Sequence, residues 1–194
     1  MSFSSRCASP ERVKRRKALL AIGAAALAAG AGAQTSPSPP VEVQAELPGA
    51  RLQGQGRLRF FGLHVYDIRL WVVAPLRADE ALRASAALEI EYARQLKGPL
   101  IAERSLAEMQ RVGEVSAGDA ERWLAVMKQL FPDVQAGDRI TGVHRPGEGA
   151  RFHVNGRLAG EVRDAAFARL FFAIWLSPRT SEPQLRAALL GAAT

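Results

Sequence analysis

The chain has one cysteine, Cys7, in its first ten residues, and none afterwards. Disulfide bonds and thiolate metal centres are therefore excluded from everything downstream of it. Histidine is almost as scarce. His64, His144 and His153 are the only three, and no acidic residue joins them at the tight spacing a zinc site needs. No metal and no cofactor is expected. Gly54-Gln55-Gly56 lacks the third glycine of a dinucleotide fingerprint, since position 59 is Arg59 and no helix pattern follows. There is no phosphate loop ending in Gly-Lys-Ser/Thr and no Gly-x-Ser-x-Gly elbow. The sequence also has only two tyrosines, Tyr66 and Tyr92, and four lysines against 22 arginines.

A net charge of +7 at first suggests a nucleic-acid partner. Its distribution argues against one. Arg6, Arg12, Lys14, Arg15, Arg16 and Lys17 crowd the first 17 residues against Glu11 alone, and the remainder carries 20 basic and 18 acidic residues. The basic excess belongs to a leader and does not mark a binding face. Lys14 to Lys17 precede an apolar run, Ala18 to Ala29, and Ala31-Gly32-Ala33 supplies small residues for cleavage. Residues 1–33 thus read as a signal peptide, with a periplasmic protein as the product. Arg15-Arg16 leaves both the general and the twin-arginine export routes open. Membrane contact is expected only if this apolar run stays uncleaved as an anchor. Residues 34–40, polar and proline-rich, read as a disordered tether, and 41–194 as one domain.

Residues 52–73 are dense in β-branched and aromatic side chains, with glycines at 54, 56 and 62. They form two strands or one long strand bent at Gly62. Strict alternation sets His64, Tyr66, Ile68, Leu70 and Val72 on one face and Val65, Asp67, Arg69, Trp71 and Val73 on the other. A tyrosine over an aliphatic floor suits a pocket wall; a packed central strand is the plainer alternative. Arg57 and Arg59 straddle Leu58 close by and have the chemistry to hold a carboxylate or polarise a carbonyl. Asp67 and Arg69 share a face and are expected to pair.

Elsewhere, Val41-Glu42-Val43 alternates as a short first strand. Leu88-Glu89-Ile90-Glu91-Tyr92 alternates as a half-buried strand, with Leu88, Ile90 and Tyr92 inward and the glutamates outward. Ala102, Leu106 and Met109 fit one helix, which Gly113 stops. Ser116 caps a second, carrying Trp123, Leu124, Met127, Leu130 and Phe131. Glu103, Arg104, Glu108 and Arg111 read as a solvated helix surface. Strands over 139–144, 151–154 and 157–162 follow, the last two joined by the hairpin signal Asn155-Gly156. Asp164 caps a helix lined by Phe167, Leu170, Phe171, Ile174 and Trp175, and a last helix starts near Ser181. With no βαβ alternation, the class is α+β: an antiparallel sheet with helices on one face.

Leu52-Gln53-Gly54-Gln55-Gly56, then Val65-Tyr66-Asp67-Ile68-Arg69-Leu70-Trp71-Val72, and the close from Asn155-Gly156 to Ile174-Trp175-Leu176 resemble the chalcone isomerase-like family. The likeness spans about 41–190 and is nearest to the exported bacterial branch. It implies an open-faced β-sandwich with a cleft between sheet and helices. The family's plant enzymes cyclise chalcones in that cleft, and other members bind fatty acids. By the same resemblance the enzymes' strand arginine falls at Leu58 and their strand threonine at Tyr66, so the catalytic cation is missing. A ligand site at Tyr66, Arg57, Arg59 and Tyr92 for a small amphipathic molecule such as a fatty acid is one expectation. An isomerase or lyase using Tyr66, and a structural or partner-binding domain, stand beside it.

Overall fold

The computed structural model describes residues 37–191; the leader and the first part of the tether lie outside them. Six strands form one antiparallel sheet in chain order, β1 (Arg51–Phe60), β2 (Leu63–Val72), β3 (Ala86–Tyr92), β4 (Arg139–Arg145), β5 (Gly149–Val154) and β6 (Arg157–Val162). Helices α2 (Gly98–Val112) and α3 (Ala117–Leu130) fall between β3 and β4, and α4 (Ala165–Leu176) and α5 (Pro183–Leu190) follow β6.

Local chemistry sets most boundaries. The Ser116 hydroxyl accepts from the Asp119 N–H at 3.1 Å and opens α3. An Asp164 carboxylate oxygen accepts from the N–H groups of Ala166 and Phe167 and opens α4, while its other oxygen takes the Trp123 indole N–H at 3.0 Å and so ties α3 to α4. Asn155 and Gly156, at φ of 50° and 83°, make the β5–β6 turn. Gly54 and Gly56 face α5. A methyl group on the first would strike the backbone oxygens of Ala188 and Leu189, and on the second the Leu185 side chain. The close approach of helix to strand requires glycine there.

The main core lies between the sheet and α2–α5. Ile68, Leu70, Leu88, Ile90 and Phe152 rise from the strands to meet Met109, Trp123, Met127 and the almost wholly buried α4.

The opposite face of the sheet is not bare. Residues Val41–Glu46 form helix α1, not the strand that three alternating residues suggest. A three-residue alternation fits either period. What decides it is the i, i+4 pairing: Val43 and Leu47 pack on Trp71 and Val143, while Glu42 and Glu46 meet strand arginines. Glu42 accepts from Thr141 Oγ1 at 2.8 Å and from Arg139, and Glu46 from Arg145 at 2.6 Å. Glu89 lies on this face as alternation requires, yet it is buried. It accepts from the Trp71 indole at 2.7 Å and from Arg69 at 3.0 Å. Arg69 therefore pairs across to Glu89 and Glu91, and Asp67 pairs with Arg57, so the expected Asp67–Arg69 pair does not form. Cross-strand neighbours stand closer than i, i+2 neighbours on one strand. His144 and His153 lie on opposite faces: His144 stacks on Phe172 in the core, and His153 sits beside Glu46.

Candidate ligand cleft

Residues 52–73 are two strands, joined at Phe61-Gly62. Their register slips between Leu58↔Tyr66 and Arg59↔His64, which leaves Val65 as an extra residue in β2. The bulge breaks the alternation expected for this strand. Tyr66 keeps to the helix side, but His64 is carried to the other face, its Nε2 3.2 Å from Asp67.

Beside the bulge a cleft of about 510 Å³ opens between the sheet and helices α2 and α4. That volume falls in the usual range for small-molecule sites, about 300–1,000 Å³. Leu58, Tyr66, Ile90, Tyr92 and Ile140 form its floor. Ile101, Arg104, Ser105 and Glu108 of α2 line one wall, and Phe171, Ile174 and Trp175 of α4 the other. Phe60 and Leu100 stand at its rim, 57% and 59% exposed. Most of this lining is apolar.

The polar groups are few. Tyr66 and Tyr92 are directly paired across β2 and β3, their rings 6.1 Å apart and edge to face. The Tyr66 hydroxyl accepts the Trp175 indole N–H at 2.9 Å, which leaves its own proton available. Among the described residues the Tyr92 hydroxyl has no protein partner. Burial pushes the Tyr66 hydroxyl well above the ordinary tyrosine pKa, further than the Trp175 hydrogen bond lowers it, with Glu182 and Glu108 adding repulsion. Burial, then the neighbouring Tyr66, raises Tyr92 likewise. Both are neutral hydrogen-bond donors at physiological pH.

Arg104 holds one oxygen of the buried Glu108 at 2.7 Å, and Arg111 approaches the other at 3.3 Å. The i, i+4 spacing that looks like a solvated surface pair is at the cleft wall, because α2 turns that edge toward the sheet. Arg57 and Arg59 lie outside the cleft. Arg57 donates to Asp67 at 2.7 and 3.1 Å on the outer face, and Arg59 donates to the Gly62 carbonyl at 3.2 Å. Of the four residues expected at the site, Tyr66 and Tyr92 line it. Arg104, Glu108 and Trp175 line it without having been singled out, since nothing in their spacing distinguishes a cleft wall from a surface or a core.

The sequence model described as chalcone isomerase-like matches residues 38–191. The chain belongs to the chalcone isomerase-like family. Among solved structures it is similar to a fatty-acid binding protein of Arabidopsis thaliana. The TM-score is 0.59 at 16% identity, with 74% of this chain and 87% of that one covered. At that identity the likeness is one of fold. No curated protein sequence matches the chain. Within the family fold, Leu58 stands opposite Tyr66 in register and faces the cleft, so the position that the resemblance assigns to the enzymes' arginine presents only methyl groups.

Proposed function

We propose that this protein binds a fatty acid or a similar small amphipathic molecule in the cleft, without turning it over. The observation that carries the reading is a largely apolar cleft of about 510 Å³ whose polar lining includes Tyr66, Tyr92 and Arg104, the last balancing the neighbouring Glu108. The acyl chain lies along Ile90, Ile140, Phe171 and Ile174. The carboxylate accepts a hydrogen bond from the Tyr66 hydroxyl and pairs with the guanidinium of Arg104. Arg104 has five donor N–H groups and spends little of that capacity on Glu108. That a structurally similar protein is a fatty-acid binding protein supports the ligand class. The strand position that the resemblance gives to the enzymes' arginine is Leu58, which cannot donate a hydrogen bond, so that catalytic arrangement is not reproduced here. Export to the periplasm through residues 1–33 is part of the same reading, and it fits a carrier or buffer of lipid fragments outside the cytoplasm.

Native mass spectrometry of the purified protein tests the ligand class. A retained adduct with fatty-acid masses is expected, together with a rise in melting temperature on adding saturated fatty acids. A bare chain whose melting is unmoved by any fatty acid would refute the reading.

A further inference from the structure

The turn between β1 and β2 is built from Phe61 and Gly62, at φ of 47° and 78°. This two-residue geometry favours Asn-Gly, and the same chain uses Asn155-Gly156 for it elsewhere. A phenylalanine in the left-handed region is strained. Here it is also 90% exposed, the most exposed of the large apolar side chains among the described residues. Phe60 packs against it with ring centroids 4.5 Å apart, and Leu63 is 55% exposed. The strained aromatic therefore does nothing for the core, and it stands in an apolar group at the end of a hairpin.

Two features bear on what could cover it. The group is continuous with the cleft, since Phe60 and Leu100 form the cleft's rim. It is also flanked by positive charge. Arg59 is exposed within the hairpin and Arg94 is exposed at the cleft that Phe60 also lines, while Arg57 and Asp67 nearby neutralise each other. A convex apolar tip with a basic collar fits the interface of an anionic bilayer, where phenylalanine and leucine enter the acyl boundary and arginine meets the phosphates. No helix among the described residues is long and apolar enough to cross a membrane, and a contact through the tip is a peripheral one. We propose that the Phe60–Leu63 tip docks the protein on anionic membranes and sets the cleft mouth against the lipid, so that ligand enters from the bilayer. The docking stands on the tip alone; the loading route rests on the ligand reading above.

The basic, apolar leader would itself bind vesicles, so the test reads the tip directly in the full chain. Phe61→Trp places a reporter there, and the native tryptophans give the background. With vesicles of phosphatidylglycerol and phosphatidylcholine, the emission of this variant should shift to the blue, and lipids brominated in the acyl chain should quench it. Arg59→Glu in the same background should weaken the response, by about fivefold for each unit of charge changed. Phe61→Asn restores the residue the turn prefers, so it should melt no lower than wild type. It should bind dissolved fatty acid unchanged and take up fatty acid from vesicles more slowly. Unaltered emission and no quenching at position 61 would overturn the proposal, as would a dimer that Phe61→Asn dissolves. Quenching at position 61 with no fatty-acid binding would sustain the docking and sink the ligand reading. Fatty-acid binding without quenching would do the reverse.

Discussion

Tyr66→Phe changes one oxygen atom and tests the polar end of the cleft. That oxygen accepts the Trp175 indole N–H at 2.9 Å, and Trp175 is 7% exposed. A buried donor stripped of its acceptor costs about 1–3 kcal/mol. Tyr66 is half-buried as a residue, but its hydroxyl and the indole N–H are buried, so the cost is at least about 1 kcal/mol. In a domain of this size that lowers Tm by about 2–4 °C. Trp175→Phe loses the same hydrogen bond together with packing on Phe171, whose ring lies 5.5 Å away. The double variant loses the bond only once. Urea unfolding of the four proteins should therefore give a coupling of about 1 kcal/mol between the positions. Tyr66→Phe should also weaken fatty-acid binding by about tenfold or less, the worth of one hydrogen bond. Strict additivity of the two substitutions would refute the assignment of the bond. An unchanged affinity would remove Tyr66 from the head-group site.

Tyr66 and Tyr92 are the only tyrosines in the chain, so tyrosinate absorbance reports the cleft alone. Their folded pKa values are raised above the ordinary value near 10. The stability they contribute is thus fully present below that value and lost as pH rises beyond it. The native protein should show almost no tyrosinate at pH 10 and gain it only as alkali unfolds the chain; two ordinary titrations near pH 10 would contradict the burial of both hydroxyls. Arg104→Gln should leave the domain folded but cost about 1–3 kcal/mol in urea melts, because it strips a cationic partner from the buried Glu108 carboxylate 2.7 Å away. It should weaken carboxylate binding about tenfold or more while sparing a fatty alcohol, as calorimetry with the two ligands would show. Gly54→Ala should destabilise by about 1–3 kcal/mol in urea melts, because the added methyl meets backbone oxygens of α5 that cannot move alone.

The parts of this fold that could be read from the sequence are those fixed by neighbours in the chain. Ser116 and Asp164 announce their helices because a cap acts within three residues. Asn155-Gly156 announces its hairpin because the turn demands φ > 0 at both positions. Leu88, Ile90 and Tyr92 alternate because one side of β3 is the core. What could not be read depends on partners far along the chain. Val41 to Glu46 is a helix because Trp71, Val143 and three arginines lie beneath it. His64 leaves the Tyr66 face because of a register slip that period-two counting cannot see. Glu89 reads as outward until α1 covers it. Tyr66 and Tyr92 could be placed on one side from parity alone. Arg104, Glu108 and Trp175 could not, since the same i, i+4 spacing and the same apolar stripe serve a surface, a core and a cleft wall.

The central claim is that an acyl chain occupies the space between the sheet and helices α2 and α4. Calorimetric titration of a saturated fatty acid into the wild type and into Ile140→Trp tests it most directly, because a tryptophan at the cleft floor fills that space from within. The wild type should bind one fatty acid per chain with a negative heat-capacity change, and the variant should bind none while still unfolding cooperatively. Equal binding by the two proteins would place the ligand elsewhere and contradict the claim.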